Sequence, residues 1–314
     1  MRAYALRRVA LLVPTILGVS VLAFLLSNLT PGDPAAAYIS RLTGEPPTRQ
    51  QIATARKDLG LDRPLPVQYV SWVTGAAHGD LGISYTSHRS VTSELVRRVP
   101  YTLQLAVPAA LLAVLIAVPA GIVCAVRRNR FVDQVVRIVS LTGASLPSFW
   151  LALLLIIGFA VHFHLVPVAG RGGIRAMVLP VVTLALSPAA TLTRFIRSAV
   201  LEALSSDYVV TARAKGVREA FVVGRHALRN SLVPIVTAFG NSLAYMFAGV
   251  TVVETIFVWP GVGKLLVDAI QQRDFPMIEA FILYAGVAYS VVNLAIDLSY
   301  AAIDPRISLA GAPA

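Results

Sequence analysis

Apolar residues in this chain fall in long unbroken runs divided by shorter polar stretches, not in the one-sided pattern of a soluble fold. Six runs qualify as membrane helices, over approximately Val9–Leu29, Tyr101–Val126, Val136–Phe163, Met177–Ile196, Leu232–Val258 and Met277–Ile303. Each supplies the roughly 20 residues that a helix rising ~1.5 Å per residue needs to cross a hydrocarbon core ~30 Å thick. None shows the period-two alternation of a barrel strand. The pattern predicts an all-α polytopic membrane protein with six transmembrane helices. The first run is longer than the roughly 7–15 apolar residues of a signal-peptide core. It also ends in Thr30-Pro31-Gly32-Asp33-Pro34 rather than a small-residue cleavage site, so a retained anchor is expected.

Two polar segments between the runs are large enough to fold. The first, from about Thr30 to Pro100, carries helix signals: Thr48 can cap, Ile52, Ala55 and Leu59 recur at i, i+3 and i+7, and Gly60 can stop the turn. A second short helix around Val67–Val73 holds Tyr69 and Trp72, which suit a membrane interface. The other polar segment runs from about Arg197 to Ser231. With the N-terminus inside, fifteen Lys and Arg fall on inner segments, against Arg171, Arg175, Lys264 and Arg273 on the short outer loops. The positive-inside rule, which weights short loops, then places both termini in the cytoplasm. The expected division is 1–29 as tail and first helix, 30–100 as a small helical extracytoplasmic cap, 101–303 as a five-helix membrane core with an inner loop at 197–231, and 304–314 as a cytoplasmic tail.

Composition narrows the picture further. Of 314 residues 56% are hydrophobic and 14% charged, with a mean hydropathy of +0.72. A soluble domain carries roughly 25% charged residues, so this chain lacks the charge to coat a globule, and it is too apolar for disorder. The lone Cys124 excludes an internal disulfide. The net charge of +11 speaks to orientation in the membrane and to lipid contact rather than to nucleic acid, and no nucleic-acid partner is expected.

Most motifs that look chemical do not carry chemistry. Gly261-Val262-Gly263-Lys264 lacks the earlier glycine and the following Ser or Thr of a phosphate loop, since Val258 and Leu265 stand there. Nucleotide binding is therefore rejected, and any ATP must be used by separate subunits. His162 and His164 point to different faces if helical, a poor geometry for a shared metal, although an extended end could align them; interfacial polar residues are the expected reading. His78 and His88 read as cap surface. No metal, cofactor or catalytic group is expected in this chain. Glu254 and Asp297 are the ionisable groups nearest membrane depth. Asn293 and Asp297 share a helix face and can bond to a neighbouring helix or to Arg194, as structural glue. Pro14, Pro108, Pro119, Pro147, Pro180, Pro188 and Pro234 favour kinks, which permit a rocking bundle and a static channel alike.

The inner loop is the informative segment. A helix from Asp207 to Lys215 can be capped by Ser205 or Ser206 and stopped by Gly216, and its small Ala212 and Ala214 allow close approach of another protein surface. A solvated amphipathic loop fits these residues, and so does a short rigid element that transmits force.

Thr211-Ala212-Arg213-Ala214-Lys215-Gly216, followed by His226-Ala227-Leu228-Arg229-Asn230-Ser231-Leu232-Val233-Pro234, resembles the permease subunits of peptide/nickel-type ABC importers. Further stretches agree in order along nearly the whole chain. They include Arg7-Arg8, Pro31-Gly32-Asp33-Pro34, Leu59-Gly60-Leu61-Asp62, Gly79-Asp80-Leu81-Gly82-Ile83-Ser84, Glu254-Thr255-Ile256-Phe257-Val258-Trp259-Pro260-Gly261, Arg273-Asp274-Phe275-Pro276 and Asp304-Pro305-Arg306-Ile307. The broader Glu-Ala-Ala…Gly pattern of binding-protein-dependent importers is met only at Ala212, Gly216 and Leu228. By this resemblance Asp207–Gly216 is a cytoplasmic coupling helix. Asp207, Tyr208, Thr211, Ala212, Arg213, Ala214, Lys215, Gly216, His226, Arg229 and Asn230 would then contact an ATPase.

The resemblance also implies a second homologous permease subunit, two ABC ATPase subunits and an extracytoplasmic substrate-binding protein, in a bacterial plasma membrane. A secondary transporter or channel without an ATPase is the rival, but it predicts matched broken helices and a buried carboxylate site, which the sequence does not show. An intramembrane enzyme would need a nucleophile–base pair at depth. For cargo, the short outer loop at about His164 to Ala176 looks more like nickel or metal-chelate members than dipeptide members, while peptide and glutathione-like cargo stay open.

Overall fold

The computed structural model describes residues 2–29, 32–170 and 173–303. Pro31, Arg171 and the Asp304-Pro305-Arg306-Ile307 stretch singled out above, with the tail after it, lie outside them. Among the described residues the chain is helical throughout, with one isolated antiparallel bridge between Ile83 and Ser90. In order come α1 (Arg2–Leu29), α2 (Pro34–Thr43), α3 (Arg49–Asp58), α4 (Leu65–Ala77), α5 (Val91–Val126), α6 (Phe131–Ser145) and α7 (Ser148–Leu155), which continues as a π-helix over Ile156–His162. There follow α8 (Ile174–Leu204), α9 (Asp207–Ala214), α10 (Glu219–Phe221), a second π-helix at Val222–Ala227, α11 (Leu228–Asn230), α12 (Leu232–Ile256), α13 (Val262–Gln272) and α14 (Phe275–Ile303).

Among the described residues five helices are long and apolar enough to cross a membrane singly, and they coincide with five of the six predicted runs. The predicted run Val136–Phe163 is instead split into α6 and α7, which meet at 106°. Pro147 is the cause. It has no N–H to give, and it drives the residue before it out of the helical region, so Leu146 is extended at φ −75°, ψ 125°. The other prolines stay inside continuous helices, Pro14 in α1 and Pro180 and Pro188 in α8. Helix α5 also begins ten residues before the predicted run and passes through Pro100, with Glu94 in its first turn favouring the helix dipole.

The chain forms two compact units. One takes Met1–Arg8, Leu103–Trp259 and Val291–Ala314; the other takes Val9–Thr102 and Pro260–Ser290. In the first, α8 is the helix on which α6, α7 and α12 pack. Leu192, Ile196 and Val200 present one face of α8 to Ala117, Ala125, Ile235 and Ala238 in an apolar core. Helix α5 comes so close there that a Cβ on Gly121 would sit 2.7 Å from Ile196 and 3.0 Å from the Thr193 carbonyl, so only glycine fits.

The second unit is knit by polar anchors as much as by packing. Val91, Leu95, Val262, Ala269 and Met277 form its core. Thr48 caps α3 in a reciprocal capping box with Gln51, as its sequence predicts. The predicted short helix around Val67–Val73 is the longer α4, whose Tyr69 hydroxyl lies 2.8 Å from Ser20 Oγ and whose Trp72 joins Tyr69 and Phe24 in a ring cluster. Two of the motifs quoted above also meet here. The buried Asp274 accepts hydrogen bonds from the Ser84 hydroxyl and from the backbone N–H of Tyr85 at 3.1 Å. Burial, reinforced by the Glu279 and Asp274 carboxylates, pushes the Tyr85 phenol well above its ordinary range.

Candidate functional site

The segment from α9 to α11 lies wholly in the first unit and folds as a small body with its own core. Val209 and Ala212, three residues apart on one face of α9, pack with Val222 and with the flanking Leu204 and Val217. Ala212 is thus turned inward, and of the two small residues expected to admit a close partner only Ala214 is exposed. The exposed face carries Asp207, Tyr208, Thr211, Arg213 and Lys215 from the predicted set. Val210, which sequence reasoning passed over, is 59% exposed on the same helix beside Tyr208 at 40%. No local signal singles it out, because the burial of the adjacent Val209 comes from Val222, beyond the stop.

Both ends of α9 were expected to be fixed by local chemistry, and one is. Ser206 occupies the N-cap, but its hydroxyl donates back to the Ala203 carbonyl instead of accepting from the first turn of α9, so the predicted serine cap does not form. The turn joining α8 to α9 is so tight that the preceding carbonyl is the nearer partner. At the other end Gly216, at φ +76°, donates to Arg213 O at 2.9 Å, and Val217 donates to Ala212 O at 3.2 Å. These are the two bonds of a Schellman stop, with glycine at the left-handed position that it adopts without the steric cost a Cβ brings.

Beyond the stop, Arg213 reaches forward to Glu219 in a two-pronged ion pair, Nε to Oε2 at 3.1 Å and Nη2 to Oε1 at 2.6 Å. The guanidinium holds the Glu219 carboxyl below the usual carboxylate range. The loop is anchored to α8 by the buried Ser231, whose hydroxyl meets the Ala199 carbonyl at 3.0 Å and the Ala227 carbonyl at 2.9 Å. His226 is half-buried in the second π-helix, while Arg229 and Asn230 are exposed on α11.

A second feature of this unit was not foreseen. Asp133, fully buried in the first turn of α6, takes both prongs of Arg197 on α8, at 2.7 and 2.8 Å, and the Asn129 N–H at 2.9 Å. It clamps the start of α6 to the stretch of α8 that leads into the loop. Asp297, expected to bond to a neighbouring helix or to Arg194, pairs with Arg8 of α1 at 2.8 Å. Glu254 is fully buried on α12, and its carbonyl accepts from the Trp259 N–H at 2.8 Å. Lys264 of the rejected phosphate-loop motif is committed to Asp268 at 2.8 Å, and Val262 and Gly263 are buried. His162 and His164 are exposed, and no cluster of three metal-ligating side chains occurs among the described residues.

Residues 117–309 match the family described as binding-protein-dependent transport system inner membrane component, and residues 1–106 match its N-terminal membrane component. The chain is 41% identical over 304 residues to the glutathione transport system permease protein GsiC of Escherichia coli O6:H1 (strain CFT073), covering 97% of this chain and 98% of that protein. It is 42% identical over the same length and shares of both chains to its namesake in Salmonella choleraesuis (strain SC-B67). In fold alone it resembles the inward-facing MetNI methionine ABC transporter, with a TM-score of 0.56 and 20% identity over 67% of this chain and 96% of that one.

Proposed function

Because this chain belongs to the binding-protein-dependent transport system inner membrane components, and so is a non-catalytic, multi-pass permease subunit of a bacterial ABC importer, we propose that it forms half of a path for glutathione or similarly small peptides. The observation that carries the cargo is the 41–42% identity, spread over almost the full chain, to permeases named for glutathione transport. Nickel chelates, favoured by the short outer loop alone, have less support. A second homologous permease completes the path, and both termini are cytoplasmic, with the 30–100 segment outside.

In this reading α9 is the lever. ATP binding draws the two ATPase subunits together, and the exposed face around Tyr208, Val210 and Ala214 moves with them. The Schellman stop, the Val209–Ala212–Val222 core and the Arg213–Glu219 brace keep the loop rigid, so its displacement passes into α8 and α12 and not into the loop itself. ATP drives the change only by its different affinity for the two states. No cofactor in this chain takes part.

The test is uptake into proteoliposomes that hold the whole importer, with its binding protein outside and an ATP-regenerating system inside. ATP-dependent accumulation of labelled glutathione is expected to exceed that of a nickel–histidine chelate by about tenfold or more, a modest difference in binding free energy. Accumulation of the chelate with glutathione excluded would overturn the cargo. Uptake that needs no ATPase would overturn the lever.

A further inference from the structure

The second unit contains a recess of about 620 Å³, within the range of small-molecule sites. Its buried end is aromatic, walled by Phe24, Tyr85 and Phe275 with the half-buried Tyr38 and Trp72. One half-buried carboxylate, Glu279 on the first turns of α14, lines it. Of the buried carboxylates elsewhere, Glu94 meets Arg97, Asp133 meets Arg197, and Asp274 accepts from both the Ser84 hydroxyl and the Tyr85 backbone N–H. Glu279 has the hydroxyl of Ser27 as its partner, and no Lys or Arg within ion-pairing distance among the described residues. The opposite charges lie at the mouth, where Lys57 and Arg63 are exposed alongside Asp58 and Asp80. Asp80 is already engaged by the Gly82 N–H at 2.9 Å.

We propose that this recess binds a primary ammonium group, with Glu279 as its counter-ion and the aromatic faces as its walls. A carboxylate partly withdrawn from water without a cationic partner carries a cost, and an ammonium ligand relieves that cost while the ring faces attract it as well. An alcohol or an amide offers neither gain. Lys57 and Arg63 suit the anionic end of the same molecule, so the ligand is a zwitterion. Two sources share this chemistry: a small peptide with a free amine, and the headgroup of phosphatidylethanolamine. The site stands independently of the importer reading, because binding needs neither ATPase nor binding protein.

The experiment uses the full-length chain in nanodiscs of phosphatidylcholine with or without phosphatidylethanolamine. Equilibrium dialysis of labelled dialanine and of N-acetyl-dialanine reads the soluble arm. Native mass spectrometry of retained lipid reads the other. If the source is soluble, the wild type prefers the free amine by about tenfold or more, Glu279→Gln loses that preference and Glu279→Asp keeps part of it. If the source is the lipid, the wild type retains phosphatidylethanolamine over phosphatidylcholine and Glu279→Gln does not. A wild type that shows neither preference, or a Glu279→Gln chain that keeps the wild-type one, overturns the site. The wild-type comparison decides even if the variant fails to fold. Ammonium binding without ATP-driven uptake by the importer would remove the function proposed above and leave the recess intact.

Discussion

Replacing Asp133 with alanine is expected to cost about 3–5 kcal/mol, because it strands Arg197, only 18% exposed, beside a cavity with no acceptor. The cost is one of breaking the pair and not the worth of having it. Substituting both partners with apolar residues of similar bulk, Asp133→Leu with Arg197→Met, is therefore expected to recover most of the loss. Cys124, the chain's single cysteine, is buried beside the pair and supplies the readout. Its thiol should become reactive towards a fluorogenic maleimide at a temperature several degrees lower in Asp133→Ala than in the wild type, with the double variant in between or near the wild type. Equal reaction temperatures for Asp133→Ala and the wild type would show that the clamp does not hold α6 to α8.

That clamp also marks where the sequence stops being readable. Helix α3 and the stop of α9 are written locally: Thr48 and Gln51 stand three residues apart, and Gly216 follows the last helical turn. Local chemistry of that kind survives almost any tertiary context. Asp133 and Arg197 lie 64 residues apart, each in a stretch where charges are ordinary, so nothing in either neighbourhood announces the pairing. The meeting of Ser84 with Asp274 across 190 residues is hidden in the same way, although both motifs were conspicuous one at a time. Proline shows a different limit. Pro147 and Pro188 look alike in sequence, yet one splits a span by 106° and the other sits within α8. Neighbouring helices decide which freed carbonyls find new partners, and they lie outside any local window. At the candidate site the helix and its stop were legible. Which side of it faces out was not, because Val209 and Ala212 are buried by Val222 from beyond the stop.

Gly216→Val is expected to abolish ATP-coupled uptake, or lower it at least about tenfold, in the reconstituted importer. Position 216 has φ +76°, and no heavy atom lies within 4 Å of where its Cβ would stand, so the penalty is one of backbone conformation and not of crowding. A β-branched residue pays heavily in that region, on the order of 1–2 kcal/mol or more. The local loop relieves it by giving up the Val217 to Ala212 bond, which withdraws Val217 from the small core and slackens the Arg213–Glu219 brace. The global fold keeps its α8 core, so membrane insertion and the Cys124 reaction temperature should match the wild type. Asparagine tolerates the left-handed region better than other residues with a Cβ, and Gly216→Asn should keep most of the uptake. The split between transport and hydrolysis then identifies the mechanism. In Gly216→Val the ATPase subunits should still hydrolyse ATP, but without stimulation by the loaded binding protein, because a lever that bends in its own loop passes no displacement to α8. Uptake at the wild-type rate in Gly216→Val would mean that this loop does not carry the stroke.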